Sequence, residues 1–286
     1  MGEPIANPAE AGCLFLVATP IGNLEDITLR ALRVLKEADL VACEDTRQTQ
    51  KLLTHYGLRK RLVSYHEHNE MTRAPELVIE MEQGAQAALV SDAGMPVISD
   101  PGHRLVALCL RHRIPVVPIP GPSALVAALA ASGMPTEEFL FVGFLPSRAG
   151  ERRKALSQLA AQPRTLVLYE APHRLEETLK DALAIFGARP AVIAREVTKL
   201  HEEFLRGQLP ELLEQVRHKP PRGEMTLLIG AGTPQQPAQT ELPLAKRVAQ
   251  IMQEQKVDRK AALKQAARER GLPKREAYKQ LLAQRD

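Results

Sequence analysis

Short apolar runs alternate with amphipathic segments between residues 14 and 120, and this alternation constrains the fold more than any other feature of the sequence. The runs are continuously apolar, as in strands that are buried on both faces of a sheet, and the segments between them show helical spacing. Strands that alternate with helices predict an α/β layered domain with a largely parallel sheet. The five runs are Leu14–Thr19, Leu40–Glu44, Arg61–Tyr65, Ala87–Val90 and Pro115–Pro120.

A second series of apolar runs begins after the Pro-Gly-Pro-Ser-Ala segment at 120–124, and its members stand closer together. They are FLFVGF, RTLVLYEA, PAVIAREV, EFLRGQL and MTLLIG. Helices predicted at 125–132, 151–161, 172–186 and 209–218 separate only some of these runs. This spacing predicts a second α/β lobe with a mixed sheet.

A Gly/Pro/Gln/Thr-rich segment follows and is typical of a linker. Beyond it, helical spacing of apolar residues and a helix closed by Gly271 predict a small helix-turn-helix-like unit. We therefore predict a flexible N-terminus at 1–12, an N-terminal α/β lobe at 13–119, a C-terminal α/β lobe at 120–232, a linker at 233–242 and a basic helical domain at 243–286.

Composition predicts a cytoplasmic globular protein. Hydrophobic residues make up 44% and charged residues 25% of the chain, and no apolar run approaches the roughly 18 residues of a membrane-spanning helix. No signal peptide precedes Leu14. The three cysteines, Cys13, Cys43 and Cys109, show no CxxC spacing. We therefore expect free thiols in a reducing compartment, without a zinc site or a disulfide framework.

The net charge of +4 is unevenly distributed. Residues 243–286 contain twelve Lys and Arg against five Asp and Glu, a net charge of +7, which leaves −3 for the rest of the chain. A basic tail on a near-neutral body favours a phosphate-rich partner, whereas a solvated helix face explains any single lysine equally well.

The segment LVSDAGMPVISDPGHRL, Leu89–Leu105, contains two acidic turn clusters within ten residues after a buried strand. Ligands of α/β proteins bind at the carboxyl ends of strands, where backbone N–H groups are free. Gly94 would let the backbone approach a ligand, and Asp92 would offer a carboxylate. We expect the following helix to be capped by Ser99 or Asp100, with Pro101 as its first residue.

Five loops at predicted strand ends carry polar groups: TPIGN, EDTR, SDAGMP, YEAPHR and REVTK. Each one alone fits a helix cap, with Asp45 or Thr46 capping one helix and Pro172 beginning another. Together they favour a cleft between two lobes that holds a polar, zwitterionic ligand. The sequence lacks a GxGxxG after the first strand, a GxxxxGK[ST] and a GxSxG, and these absences count against dinucleotide, P-loop and serine-nucleophile enzymes. His66 and His68 favour a polar loop over a metal site, and no metal is expected.

The loops VATPIGNLEDIT, EDTR, LVSDAGMPVISDPG, PGPSA, FVGFLP, YEAPHR, REVTKLHEE and GEMTLLIG resemble, in order, those of the tetrapyrrole-methylase superfamily. More closely, they resemble its branch of methyltransferases that act on 16S ribosomal RNA. The resemblance implies two lobes with a cofactor cleft between them, a homodimer, and S-adenosylmethionine as cofactor. It also implies methylation of the ribose 2′-hydroxyl of a decoding-region cytidine in 16S rRNA of the 30S ribosomal subunit.

The resemblance also assigns residues. The implied cofactor-binding set is Asp92, Ala93, Gly94, Met95, Pro96, Ile98, Ser123, Ala124, Tyr169, Arg195, Glu196 and Thr226. The TPIGN loop would face the substrate through Pro20, Ile21, Gly22 and Asn23.

A ribose hydroxyl is a poor nucleophile until its proton is removed, so a base would accelerate transfer about 10²–10⁴-fold. Glu44, Asp45, Asp100 and Glu170 are candidate bases, and we select Asp45 with Arg47, together with Glu170, as catalytic residues. For RNA backbone contacts we predict Arg174, Lys199, Lys260, Lys264, Arg268, Lys274 and Arg275. Two other classes remain open at this point: a small-molecule corrin or porphyrin methyltransferase, and a nucleic-acid-binding regulator that uses its α/β body as a ligand sensor.

Overall fold

The computed structural model describes residues 12–232, 244–255, 257–269 and 276–277, with the side chains of Gln255, Arg268 and Glu269 left out of that description. The first lobe contains five strands and four helices. Its elements are β1 (Cys13–Val17), α1 (Leu29–Glu37), β2 (Leu40–Cys43), α2 (Thr46–His55), β3 (Arg61–Ser64), α3 (Glu70–Glu82), β4 (Gln86–Val90), α4 (His103–Arg111) and β5 (Val116–Ile119).

The first sheet has the strand order β3-β2-β4-β1-β5, and every pair in it is parallel. Its central strand β4 pairs with β1 through Leu14 and Ala87 and with β2 through Leu40 and Ala87. One face packs against α3 and α4, and the other against α1 and α2. Burial on both faces explains the continuously apolar runs, and the predicted largely parallel sheet is confirmed.

The second lobe contains the remaining strands and four helices. Its elements are α5 (Ala124–Ser132), β6 (Phe139–Phe144), α6 (Ala149–Leu159), β7 (Thr165–Glu170), α7 (Pro172–Phe186), β8 (Pro190–Arg195), β9 (Glu203–Gln208), α8 (Leu209–His218) and β10 (Met225–Ile229). The strand order is β6-β7-β10-β8-β9. Only β6 and β7 run parallel, so the predicted mixed sheet is confirmed. Helices α6, α7 and α8 cover one face and α5 covers the other.

Local helix signals are confirmed at three positions. The Thr28 side chain accepts a hydrogen bond from the Ala31 N–H at 3.0 Å, and Asp45 accepts one from the Arg47 N–H at 2.8 Å. Pro172 begins α7. These are the caps and N-terminal prolines that satisfy or avoid unpaired N–H groups at helix starts.

The predicted start of α4 is wrong. The helix begins at His103, and its N-cap is Gly102, with φ of +138° and no side-chain capping bond. Val97 and Ser99 have positive φ, so the chain follows a non-helical path through the residues that we expected to cap the helix. Asp100 forms a hydrogen bond with Ser91 instead.

The described residues beyond Ala231 belong to a separate compact unit. Helices α9 (Leu244–Gln255) and α10 (Arg259–Glu269) pack through Leu244, Val248 and Ile251 against Ala262 and Ala266. The predicted helical nature of this unit is confirmed for the described residues. Residues 1–11 of the predicted flexible N-terminus, the predicted linker at 233–242, and the part of the helical domain beyond 269, apart from 276–277, lie outside them. No described helix is long and apolar enough to cross a bilayer. All three cysteines are buried free thiols.

Candidate cofactor-binding cleft

The SDAGMP loop is fixed directly beside the end of β1. Thr19 and Gly94 form an isolated antiparallel bridge, in which the Thr19 N–H donates to the Gly94 carbonyl at 2.9 Å and the Gly94 N–H donates back at 3.0 Å. The Thr19 hydroxyl also donates to the Ser91 carbonyl at 3.2 Å. Gly94 adopts φ of +84°, a backbone conformation that most other residues avoid, and in this conformation the loop forms the bridge just beyond the end of β1.

Two loops of strained backbone face each other across the lobes. Val97, Ser99, Glu196 and Thr198 have φ between +50° and +76° and are four of the five non-glycine residues with positive φ in the described chain. Positive φ is especially unfavourable for the β-branched Val97 and Thr198. Such strain, of order 1–3 kcal/mol per residue, persists only where the surroundings impose it and is concentrated at functional sites.

A cleft of about 610 Å³ lies between these loops, within the usual range for a small-molecule site. Residues from both lobes line it. Ten of the twelve predicted cofactor residues do so, namely Asp92, Ala93, Gly94, Met95, Ile98, Ser123, Ala124, Tyr169, Glu196 and Thr226. Its lining also includes Ile21, Glu170 and Lys199 from the predicted catalytic and substrate sets.

Two predicted cofactor residues are placed elsewhere. Pro96 is buried outside the lining. Arg195 turns to the opposite side of β8, where its Nε donates to Glu203 at 2.6 Å. Alternation along a strand explains this difference, since Arg195 and the preceding strand residue Ala194, which lines the cleft, point to opposite faces of β8.

Acidic groups outnumber basic ones in the cleft. Asp92, Asp100, Glu196 and Glu224 line it together with the cation Lys199, whose Nζ donates to Glu196 at 3.0 Å and to Glu224 at 3.1 Å. Asp92 and Asp100 have no such cation among the residues that the structure describes. The charge therefore suits a ligand with a positive centre and disfavours a phosphate.

Among the described carboxyl groups, Asp100 is the one whose pKa the surroundings change most. Partial burial raises its pKa to about 6, the nearby charges of Glu44 and Asp92 act in the same direction, and a hydrogen bond with Ser91 opposes them. Burial also raises the pKa of Glu44 and Asp92, which lie in the same acidic group. A carboxyl that titrates near neutral pH in a cleft is a candidate proton acceptor.

The predicted catalytic pair Asp45 and Arg47 adjoins the cleft but does not line it. The Asp45 N–H donates to Asp92 Oδ1 at 3.3 Å. Its own carboxylate accepts two bonds from the Arg47 side chain, at 3.2 and 3.1 Å, in addition to its helix-capping bond. These bonds lower the pKa of Asp45. Both oxygens are thus engaged, while the Arg47 side chain is 86% exposed.

Glu170 and Arg174 form an internal network at the end of β7. The Glu170 side chain is 1% exposed, and it accepts bonds from the Thr178 hydroxyl at 2.6 Å and the Ala171 N–H at 2.9 Å. Arg174 approaches it to 3.3 Å and donates to the Leu145 carbonyl at 2.6 Å. These bonds hold the loop that follows β6. Glu170 is therefore not free to act as a base, and Arg174 is not free to bind a phosphate, which are the roles that we predicted for them.

The TPIGN loop packs against the second lobe. The Asn23 N–H donates to the Thr198 hydroxyl at 3.2 Å, and a Cβ on Gly22 would meet Lys199 Cγ at 2.3 Å. Ile21 lines the cleft, whereas Pro20 is buried. The loop therefore closes one edge of the cleft, on the side where we predicted substrate.

The predicted RNA-contact residues of the tail are only partly described. Lys260 and Lys264 are exposed one turn apart on α10, so both project from one face. Arg268 lies on the same helix, but its side chain is not among the described groups, and Lys274 and Arg275 lie outside the described residues.

Phe144, which is not among the predicted site residues, also lines the cleft, and 56% of it is exposed. Its ring centroid lies 5.6 Å from that of Tyr169, which also contacts Phe141 edge to face at 5.1 Å. A signal was present in the glycine that interrupts the run FLFVGF. Gly143, with φ of +72°, marks a register shift between β6 and β7 and turns the strand end at the cleft.

No group of three or more His, Cys, Asp or Glu side chains in the described ranges stands close enough together to hold a metal ion. His66 and His68 lie in a turn with their rings 5.9 Å apart.

Comparison with known proteins gives a consistent result. The family model of Tetrapyrrole (Corrin/Porphyrin) Methylases matches residues 13–213. A Halalkalibacterium halodurans protein named Ribosomal RNA small subunit methyltransferase I is 49% identical over 272 residues, 94% of this chain and 94% of its own. The Escherichia coli O157:H7 protein of that name is 44% identical over 275 residues, 91% of this chain and 96% of its own. A Thermotoga maritima protein of that name is 50% identical over 218 residues, which are 98% of its length but 76% of this chain.

Solved structures show the same fold at low sequence identity. A cobalt precorrin-4 methyltransferase superposes with a TM-score of 0.58 at 19% identity and covers 80% of this chain and 98% of its own. Uroporphyrin-III C-methyltransferase from Thermus thermophilus, in complex with S-adenosyl homocysteine, gives 0.54 at 24% identity and covers 77% and 97%. The predicted fold class of two α/β lobes, similar to tetrapyrrole methylases, is thereby confirmed.

Proposed function

Because the chain belongs to the tetrapyrrole (corrin/porphyrin) methylase family, we propose that it transfers a methyl group from S-adenosylmethionine to the ribose 2′-hydroxyl of a cytidine in 16S rRNA. The acidic interlobe cleft, formed by the residues that the family resemblance assigned to the cofactor, is the observation that carries the proposal. The names of the relatives support ribosomal RNA as the substrate class. The decoding-region cytidine, the 2′-oxygen, the 30S particle, the homodimer and the cytoplasmic location remain parts of this proposal.

The residues of the cleft fit the cofactor. When bound, S-adenosylmethionine supplies an activated methyl group on a positively charged sulfonium. Asp92 and Asp100 would face that charge without competing cations among the described residues, and Gly94 lines the cleft with backbone alone, where a longer side chain would narrow it. Tyr169, Thr226 and Ser123 add aromatic and hydroxyl contacts, which are the few convergent polar groups typical of such sites.

The substrate hydroxyl needs a group that accepts its proton. Asp100 lines the cleft, has no ion-pair partner there among the described residues, and has a pKa raised to about 6, so it is mostly ionised at neutral pH and still basic enough to act. Asp45 is a weaker candidate base than Asp100, because its carboxylate oxygens already accept hydrogen bonds from the Arg47 side chain and from the Arg47 N–H at the start of α2. We therefore assign proton acceptance to Asp100, with Asp45 and Arg47 on the substrate side.

Asp100→Asn and Asp45→Asn test this assignment as a matched pair, because each replaces a carboxylate by an isosteric amide. We expect kcat at saturating cofactor to fall about 10²–10⁴-fold for Asp100→Asn and much less for Asp45→Asn. The reverse order would return the base role to Asp45.

The proposed function is tested by transfer of tritiated methyl from S-adenosylmethionine to purified 30S particles that lack the modification, with uroporphyrinogen in a parallel tube. Label in 16S rRNA at an alkali-resistant dinucleotide is the expected result, because 2′-O-methylation blocks cleavage at that linkage. Alkali-sensitive label in the RNA would contradict the ribose as the site.

A corrin or porphyrin methyltransferase is the second candidate function, since the matching family carries those substrates in its description. Label in the tetrapyrrole alone would favour it. The basic tail counts against it, because a small tetrapyrrole does not need the +7 charge of residues 243–286. Binding of RNA without any methyl transfer would instead favour the regulator with a ligand-sensing body.

A further inference from the structure

A second concave surface lies on the second lobe, on the opposite side of β8 from the cleft. This cavity of about 660 Å³ is formed by β9, the C-terminal end of α8 and the segment 219–222. His218, Lys219 and Arg222 line it, all three are exposed, and we call this surface the basic groove. Neither the family resemblance nor the charge of the tail pointed to it.

The acidic groups of the basic groove are already paired. Glu203 accepts from Arg195 at 2.6 Å, and Glu214 pairs with Arg217 at 2.5 Å. In contrast, His218, Lys219 and Arg222 have no ion-pair partner among the described residues. The groove thus presents uncompensated positive charge, which is what a phosphate requires.

The groove and the cleft lie back to back across a thin partition. The Glu224 N–H donates to Glu196 Oε1 at 3.0 Å, and the Glu196 N–H donates to the Glu224 carbonyl at 3.0 Å. Gly223 fits between them, since a Cβ there would lie 2.1 Å from Glu196 Oε1. Glu196 and Glu224 line the cleft, whereas their neighbours Arg195 and Arg222 line the groove.

This partition sets the distance between the two surfaces. Arg222 and Glu224 are two residues apart, so their backbones are separated by at most about 7 Å. The Glu224 side chain is 75% exposed, so the partition reaches the surface, and a polymer with one unit in the cleft that crosses this rim would have its neighbouring units within reach of the groove. The acidic lining of the cleft repels phosphates, so cations just outside it are where flanking phosphates would be held.

Helix-end stabilisation is the ordinary explanation for cations at this place, because the C-terminus of a helix attracts positive side chains. It accounts for Lys219, the C-cap residue of α8. It does not account for Arg222, which lies four residues beyond the helix end and follows Pro220 and Pro221, two residues that restrict the backbone. Nor does it explain a cavity.

We propose that the basic groove binds the phosphates of the RNA strand that flank the nucleotide held in the cleft. The inference rests on the proposed function, since it takes RNA as the substrate. It assigns to Lys219 and Arg222 a role that is independent of the tail.

The test compares Lys219→Ala/Arg222→Ala with a control variant of equal charge, Lys36→Ala/Arg59→Ala. Lys36 and Arg59 are exposed and precede β2 and β3, so they lie at the amino ends of strands, away from the cleft. Filter binding of purified 16S rRNA is measured between 50 and 200 mM salt, and cofactor affinity by calorimetry. For the groove variant we expect a dissociation constant on the order of tenfold higher, a salt slope lower by about 1.4, and unchanged cofactor affinity.

Equal RNA binding by the groove and control variants would overturn the inference, even with methyl transfer intact. Loss of binding to 30S particles without loss on naked 16S rRNA would also overturn it and would favour a ribosomal protein as the partner. Failure of the proposed function has a different signature, because the unsubstituted protein would then transfer no methyl group to RNA.

Discussion

Two substitutions at Gly94 test separately the backbone strain of the cleft loop and the ability of the cleft to bind a ligand. Its φ is +84°, and its N–H and carbonyl both bond to Thr19. A Cβ would lie 3.4 Å from Ile21 Cγ2 and 3.8 Å from the Pro122 carbonyl, which are ordinary contacts. Gly94→Ala therefore meets no steric clash, and its cost is the left-handed backbone, about 1–2 kcal/mol.

Gly94→Asp adds a carboxylate beyond that Cβ. Gly94 and its neighbour Ile21 both line the cleft, so the new carboxylate is placed in a space that is already acidic. Because Asp tolerates left-handed backbone better than Ala does, the loss of stability should not exceed that of Gly94→Ala through strain. We expect cofactor affinity to fall at least 100-fold, about 2.7 kcal/mol, while the fold survives.

Calorimetry with S-adenosylmethionine and urea unfolding measure the two effects separately. Gly133→Ala is the matched control, since Gly133 has φ of +78° with nothing within 4 Å of its Cβ and lies outside the cleft lining. It should lose a similar free energy of unfolding to Gly94→Ala and keep its cofactor affinity. Affinity of Gly94→Asp within a few-fold of the native value would refute the placement of the cofactor beside Gly94.

Three further predictions concern stability, pH and the tail. Asp181→Asn should lower the free energy of unfolding, measured in urea, by about 3–5 kcal/mol, because it removes the charge that pairs with the buried Arg152, 2.7 Å away. The double variant Arg152→Met/Asp181→Leu should recover this stability, and an unchanged free energy of unfolding in Asp181→Asn would contradict the prediction. Burial raises the pKa of Asp100 to about 6, so the native state binds the proton more tightly than the unfolded chain and the stabilisation present below pH 4 is lost as pH rises through 6. The melting temperature of Asp100→Asn should accordingly exceed that of the native protein above pH 6 and equal it below pH 4. A difference in melting temperature that does not change with pH would exclude this titration. Deletion of 236–286 should weaken RNA binding and flatten its salt dependence, as the +7 charge of 243–286 requires, and unchanged binding would remove the tail from the RNA site.

The alternation of elements could be predicted from the sequence because its causes are local. A strand buried on both faces, such as Leu40–Cys43, must be apolar at every position, and the sequence shows that directly. Caps such as Thr28 bond to N–H groups only a few residues away, so spacing alone identifies them. The two sheets and most of the helix bounds follow from such local rules.

The path of residues 97–102 could not be predicted, because distant contacts determine it. Ser99 packs against Gly143 of the second lobe, where a Cβ would lie 3.0 Å from its hydroxyl oxygen. Gly102 lies against Leu89 and Val97, again without room for a Cβ. Ser-Asp-Pro is a good local start for a helix, yet these contacts between distant parts of the chain outweigh the capping preference and delay α4 to His103.

Charged residues in the loops show a second limit. Spacing alone does not distinguish Glu170 and Arg174, which bond to each other and to the loop after β6, from Asp92 and Asp100, which face the cleft. All four are charged residues in or beside polar turns. The direction in which a side chain points depends on which lobe covers it, and that is a property of the assembled fold.

The cleft is acidic and the groove is basic, so the two surfaces favour ligand groups of opposite charge. An acidic cleft favours a cationic methyl donor and repels a polyanion, so the groups that bind the cofactor cannot also supply affinity for RNA. That affinity has to come from cations outside the cleft, and the partition formed by Glu196 and Glu224 places Arg222 and Lys219 immediately beyond it. Glu196 and Glu224 also neutralise Lys199, which keeps the one cation of the cleft lining from capturing a phosphate there. Under the proposed function, the cleft would admit the ribose of a bound strand while the groove would bind its phosphates, and this separation would present a hydroxyl, instead of a phosphate oxygen, to the methyl donor.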